Sequence, residues 1–252
     1  EEVAKHKAAV SIKELESNPL FDRKPVSLKN SLLHDHKAGI ISEHKRKSPS
    51  KGIINDQLTL EQVVTGYTQA GASALSVLTD TPYFGGTKED ILTARSLSPL
   101  PILRKDFIID EYQILEAKSW GADVILLIAA NLEIVQTKQL ASFAKSLGLD
   151  VLLEVHDKEE TLHYVNEFVD MVGVNNRNLK TFEVSIETSL ALADVIPSTF
   201  VKIAESGLNS VDEIVTLRNA GFEGFLIGES FMKTNDPGKA CKTLIDEIMA
   251  TI

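Results

Sequence analysis

The sequence has a single cysteine, Cys241, which excludes a disulfide within the chain and points to a reducing compartment. It lacks a long hydrophobic run. The longest plain apolar stretch, 124–130, falls far short of the roughly 20 residues that span a bilayer. Positive charge is also short: 26 Lys and Arg stand against 36 Asp and Glu, a net charge of −10. That balance argues against general binding to nucleic acid or to anionic membranes. The first residues, EEVAKHKAAV, carry acids where a secretory leader would carry a basic and then an apolar segment. These absences lead to the expectation of a soluble, cytoplasmic protein with neither nucleic acid nor membrane as partner. No Gly-rich dinucleotide fingerprint follows the first apolar run, and no linker divides the 252 residues.

What is present is a regular pattern. Eight short runs rich in Val, Ile and Leu cover 39–42, 74–78, 101–103, 124–128, 151–153, 171–174, 201–204 and 224–227. They show little alternation, as expected of parallel strands buried on both faces. Their starts lie roughly 20–35 residues apart, the span of one strand and one helix. Helix starts are marked by the capping boxes Thr59-x-x-Gln62 and Ser210-x-x-Glu213, and by Asp236-Pro237. Gly71, Gly121, Gly148 and Gly221 stand just before strands, where helices end. Ala70-Gly71-Ala72, Trp120-Gly121-Ala122 and Ala220-Gly221-Phe222 form a weak repeat in the even-numbered units. The fold class that follows is α/β, a (β/α)₈ TIM barrel over 39–252 with an N-terminal helical extension over 1–38, as a single domain.

In such barrels chemistry sits where the strands end. Strand 1 runs into EHKRKSPSKG (43–52), in which five of ten residues are Lys, Arg or His. Side chains alternate along a strand, so an inward Ile41 puts Glu43 and Lys45 inward and turns His44 toward the helices. Lys105 ends strand 3, Glu154 strand 5, Asn175 and Arg177 strand 6, and Glu205 strand 7. Opposed ammonium and carboxylate groups shift one another's pKa, which supplies proton donors and acceptors near neutral pH. The loops after strands 7 and 8 read ESG (205–207) and IGES (227–230), where barrels of this kind bind phosphate. Barrel closure brings Lys45 and Ser48 beside strand 8, so part of the basic stretch completes a phosphate cradle.

The segments EHKRKSPSKG, YFGG (83–86), LRKDFIIDEYQI (103–114), LLEVHD (152–157), GVNNRNL (173–179), AESG (204–207) and FLIGES (225–230) resemble indole-3-glycerol phosphate synthase. The resemblance runs from about Gly39 to the C-terminus. It implies closure of an indole ring on 1-(2-carboxyphenylamino)-1-deoxyribulose 5-phosphate, with loss of carbon dioxide and water. It implies no metal and no organic cofactor. By the same resemblance the catalytic residues are Lys105, Glu154, Lys45, Glu43 and Asn175. Lys105 is the general acid, Glu154 serves the dehydration, and Glu43 and Lys45 form a supporting ion pair. Asn175 binds hydroxyls, and Arg177 orders the loop or its carboxylates. Ser48, Ser206, Gly207, Gly228 and Glu229 line the phosphate and adjacent contacts. Glu205 is counted with them, and Pro49, Phe84 and Leu126 form a slot for the aromatic ring. His44 and Glu229 depart from the family pattern, and the carboxylate of Glu229 is expected to turn away from the phosphate. The resemblance also implies that the N-terminal region helps to cover the substrate.

The partner that follows is a small phosphorylated substrate, and the resemblance leaves room for neighbouring enzymes of the tryptophan pathway. Two other readings stay open at this point. One is a related sugar-phosphate isomerase, for which a different acid–base pair, commonly Cys and Asp, is expected. The other is a barrel that binds a phosphorylated ligand without catalysis.

Overall fold

A computed structural model describes residues 2–34, 37–178 and 180–251. Eight parallel strands close into a barrel: β1 Ile40–His44, β2 Ala74–Leu78, β3 Ile102–Lys105, β4 Val124–Ile128, β5 Asp150–Val155, β6 Met171–Asn175, β7 Val201–Glu205 and β8 Gly224–Ile227. Closure is by β1 on β8, with Ile41 opposite Leu226. Three strands match the apolar runs, but β1, β3, β5, β6 and β7 extend one or two residues further at their C-terminal ends. The added residues include Glu43, His44, Lys105, Glu154, Asn175 and Glu205. Backbone pairing does not depend on side-chain polarity, so the ladder continues after the apolar pattern has stopped.

The extension forms α1 Glu2–Ala9, α2 Ile12–Glu16 and α3 Leu28–Leu32. The barrel helices and helical turns are α4 Leu60–Ala70, α5 Thr81–Phe84, α6 Lys88–Leu97, α7 Glu111–Trp120, α8 Ile134–Ser146, α9 Lys158–Tyr164, α10 Glu187–Leu192, α11 Val211–Asn219, α12 Glu229–Met232 and α13 Pro237–Met249. Both expected capping boxes form, at Thr59 and at Ser210. Gly71 ends α4 at φ 88°, a backbone region that disfavours every side chain with a Cβ. Among the described residues no helix is long and apolar enough to cross a membrane.

Two apolar layers follow from strand alternation. Ile41, Ala74, Leu103, Leu126 and Leu152 point inward, while Ile40, Leu75, Val77, Ile125 and Leu153 pack beneath the helices. Leu28 and Leu32 of α3 belong to the inward layer. The hydroxyl of Ser27 donates to Asp150 at 2.9 Å, and the backbone N–H of Lys29 donates to the same carboxylate at 3.2 Å. Asp150 begins β5, so α3 plugs the barrel at the end opposite the strand tips. α1 and α2 lie along α7 instead, where Leu15 packs on Tyr112 and Leu115.

One buried carboxylate ties the extension to the barrel. Asp123, just before β4, accepts from Arg23 and the Val26 N–H at 2.7 Å each. It also accepts from Arg95 and the Ile102 N–H at 2.8 Å each. Arg95 is itself largely buried. Asp123→Ala removes the countercharge from two guanidinium groups and is expected to cost about 3–5 kcal/mol of stability, read from urea unfolding.

Candidate active site

A cavity of about 700 Å³ opens at the C-terminal ends of the strands. All fifteen site residues expected from the sequence line it, from Glu43 to Glu229. The only described residues that line it lie at position 43 or beyond, so the extension contributes no wall. Within the extension, α3 seals the far end of the barrel, because Leu28 and Leu32 fill the space between the inward strand faces.

The floor is charged, and its geometry follows from strand alternation. Glu43 stands two residues beyond inward Ile41. Its Oε1 accepts from Lys45 at 2.8 Å and its Oε2 from the hydroxyl of Ser76 at 3.1 Å. Burial alone would raise the pKa of Glu43, but Lys45 and Lys105 outweigh burial and hold it below the usual carboxylate range. Lys105 reaches the centre, with Nζ 3.4 Å from Glu154 Oε2 and 3.6 Å from Glu205 Oε2. Desolvation opposes its charge, yet Glu154, Glu205 and Glu43 together raise its pKa and keep it an ammonium.

Glu154 accepts from the side-chain amide of Asn175 at 2.9 Å. Burial works against its ionisation, but Lys105, His156 and Asn175 bring its pKa down. Glu205 goes the other way: burial first, then the charge of Glu154, raises its pKa. The floor thus holds two ammonium groups and three carboxyl groups, and a proton on Glu205 makes it neutral. Glu205 stands beside Lys105 at the end of β7, just before Ser206 and Gly207, with which the sequence groups it. Its Oε1 is buried without a hydrogen-bond partner among the described residues.

Two glycines make room for this floor. A Cβ on Gly173 would lie 2.3 Å from Glu205 Oε1, and one on Gly228 would lie 2.9 Å from Glu43 Cβ. Lys105 itself is held in place from behind by its neighbour. Arg104 points outward, stacks on Trp120 at 4.3 Å, pairs with Asp106 at 2.9 Å and donates to the Gln113 carbonyl at 2.7 Å.

The rim divides into an apolar and a polar side. Phe84, Pro49, Leu126 and Ile128 line the apolar side together with Phe107, whose ring lies 6.2 Å from that of Phe84. Phe107 and Ser76 were not singled out from the sequence. Phe107 follows the strand end, where alternation no longer aims side chains, and Ser76 reads as one polar residue inside an apolar run. The other side holds Ser48, Lys51, Ser206, Gly207, Gly228 and Glu229. Ser206 and Phe182, the non-glycine residues with positive φ among those described, at 68° and 60°, both line the cavity. Backbone strain of this kind collects at functional sites.

The two departures are accommodated. His44 faces the helix layer, where burial brings its pKa down to about 4. The Glu229 carboxylate turns to Lys233 at 2.5 Å and lies 3.6 Å from Arg177, so cations beside it balance its charge. Arg177 thereby ties the loop after β6 to that after β8. Leu179, the last residue of GVNNRNL, lies outside the described residues. Cys241 sits on α13 against Ser42, away from the cavity, so the Cys and Asp pair of an isomerase is not assembled here.

Gly173 leaves no room for a side chain beside Glu205. Gly173→Ala is expected to fold but to lose about 1–3 kcal/mol in urea unfolding, because Glu205 must leave its place beside Lys105.

Comparison with known proteins agrees with this geometry. A family model described as indole-3-glycerol phosphate synthase matches residues 1–244. An indole-3-glycerol phosphate synthase of Bacteroides thetaiotaomicron is 49% identical over 247 residues, covering 98% of this chain and 94% of that one. Proteins of the same name from Carboxydothermus hydrogenoformans and Koribacter versatilis are each 43% identical, over 88% and 97% of this chain and 86% and 94% of theirs. A solved thiamine phosphate pyrophosphorylase from Pyrococcus furiosus superposes with a TM-score of 0.63 at 16% identity, covering 89% of this chain and 98% of that one. That likeness is one of fold alone. The chain belongs to the indole-3-glycerol phosphate synthase family.

Proposed function

We propose that the protein closes the indole ring of 1-(2-carboxyphenylamino)-1-deoxyribulose 5-phosphate, releasing carbon dioxide and water to form indole-3-glycerol phosphate. The observation that carries the reading is Lys105, an ammonium with Glu154 and Glu205 within 3.4 and 3.6 Å, on the floor of a cavity with an apolar wall.

Ring closure brings the carboxyl-bearing ring carbon onto the ketone carbon. Negative charge then builds on the ketone oxygen, and the Lys105 ammonium stabilises and protonates it. Loss of the carboxyl group as carbon dioxide and of the new hydroxyl as water restores aromaticity. Glu154 is ionised, so it acts as the base that removes a proton during dehydration. Asn175 donates to Glu154 and reaches toward the substrate hydroxyls. Lys45, paired with Glu43, contacts the substrate from the first strand.

Binding holds the two ends of the substrate apart. The aromatic ring lies against Phe84, Phe107, Leu126 and Pro49. Ser48, Ser206, Gly207, Gly228 and the backbone of Glu229 receive the phosphate, with Arg177 bracing that loop. Tethering both ends turns a floppy chain into one whose reacting carbons meet, which supplies much of the rate enhancement.

Indole fluorescence follows the product directly. The parent protein is expected to turn over the carboxyphenylamino substrate, and Lys105→Ala to lose at least about a hundredfold in kcat while KM stays within a few-fold. No turnover by the parent, with the substrate still bound, would leave a barrel that only binds.

A further inference from the structure

His156 lies behind the catalytic floor, and ring closure as described does not use it. It follows Glu154 by two residues, one position past the end of β5. It does not line the cavity. Its Nε2 is buried, makes no hydrogen bond among the described residues and stands 3.3 Å from Glu154 Oε1, a contact of charge rather than of an aligned hydrogen bond. Its Nδ1 lies 3.1 Å from Glu160 Oε2, in the first turn of α9. The backbone N–H of His156 donates to that same oxygen at 2.7 Å, which locks the ring against Glu160. The contacts form a line from Glu160 through His156 and Glu154 to Lys105 and Glu205.

We propose that His156 is a positioning residue for Glu154. As an imidazolium it holds one carboxylate oxygen of Glu154, which leaves the other oxygen toward Lys105 and the substrate. The inference rests on the reading that Glu154 is the base.

The chemistry is set by which nitrogen keeps its proton. Glu160 accepts hydrogen bonds only, so Nδ1 carries a proton in both charge states. When the ring is protonated, its positive charge lies 3.3 Å from Glu154 Oε1 and attracts it. When it loses a proton, an uncharged Nε2 bearing a lone pair is left 3.3 Å from a carboxylate oxygen, and the attraction is lost. The groups facing the ring are Glu154 on its own strand, Glu160 on α9, and more distantly Glu205 and Lys105. Burial opposes the imidazolium, but Glu154 and Glu160 prevail and push its pKa up to about 8. Because the pKa is raised, the supporting charge is present at neutral pH and is lost as pH rises through that value.

The test is the pH dependence of kcat for the parent, His156→Gln and Glu160→Gln, with the carboxyphenylamino substrate at saturation. The parent is expected to lose activity above about pH 8. Glu160→Gln removes an anion that favours the imidazolium, so the alkaline fall should move to lower pH. His156→Gln cannot titrate there. It should lose that fall and have a kcat about tenfold lower at neutral pH, with KM within about twofold. A parent profile flat through pH 8, the same alkaline fall in His156→Gln, or an unmoved fall in Glu160→Gln would each overturn the proposal. Should His156→Gln fail to fold, Glu160→Gln decides alone, since its side chain is partly exposed on the first turn of a helix. Absence of turnover in the parent would sink the reading beneath the inference, and is distinct from turnover with an unaltered profile.

Discussion

The structure of this site depends on one electrostatic constraint: Lys105 keeps its charge inside a barrel. A lone ammonium there would shed its proton, because desolvation favours the neutral form. Two carboxylates converging on it from β1 and β5 prevent this, and Glu205 from β7 adds its charge once it ionises. They are themselves kept apart in pKa by their surroundings. Glu43 has Lys45 and Ser76, Glu154 has Asn175 and His156, and Glu205 has an oxygen with no hydrogen-bond partner. Differences in partners thus turn three chemically similar side chains into two anions and one acid. Such a site has a proton donor for the addition and a base for the elimination in place before the reaction starts.

That constraint places demands on the rest of the fold. The floor must not drift, since a displacement of an ångström separates Lys105 from Glu154. The inward apolar layer supports it from below, and Leu28 and Leu32 close that layer at the far end. Asp123 and Asp150 fasten the extension to the strand starts, so the plug and the floor belong to one packed column. Behind the floor, Arg104 spends its hydrogen bonds on Asp106, Thr79 and the Gln113 carbonyl, which pins the end of β3. The loops at the rim carry the strained residues Phe182 and Ser206, both of which line the cavity.

Much of this was legible in the sequence for a physical reason. Parallel strands buried on both faces must be apolar runs, so their number and order can be counted. Alternation from Ile41 then aims Glu43 and Lys45 inward, and His44 outward, as found. Family-like motifs supplied the remaining roles. What could not be read depends on contacts between distant segments. The plug of Leu28 and Leu32 looks like any amphipathic turn. Ser76 is one hydroxyl in an apolar run until Glu43 lies across from it. The role of Gly228 as space for Glu43, alongside its place in the loop, appears only when β1 closes on β8. His156 sat within a quoted motif but had no apparent partner, because Glu160 reaches it only after α9 has folded.

The most direct measurement is a titration of the Lys105 side-chain nitrogen by ¹⁵N NMR, assigned by comparison with Lys105→Arg. The account predicts that the ammonium persists beyond the pH at which ordinary lysines titrate, because Glu154, Glu205 and Glu43 outweigh its burial. A Lys105 that loses its proton at or below the ordinary lysine pKa would contradict it, since burial would then have prevailed over the three carboxyl groups.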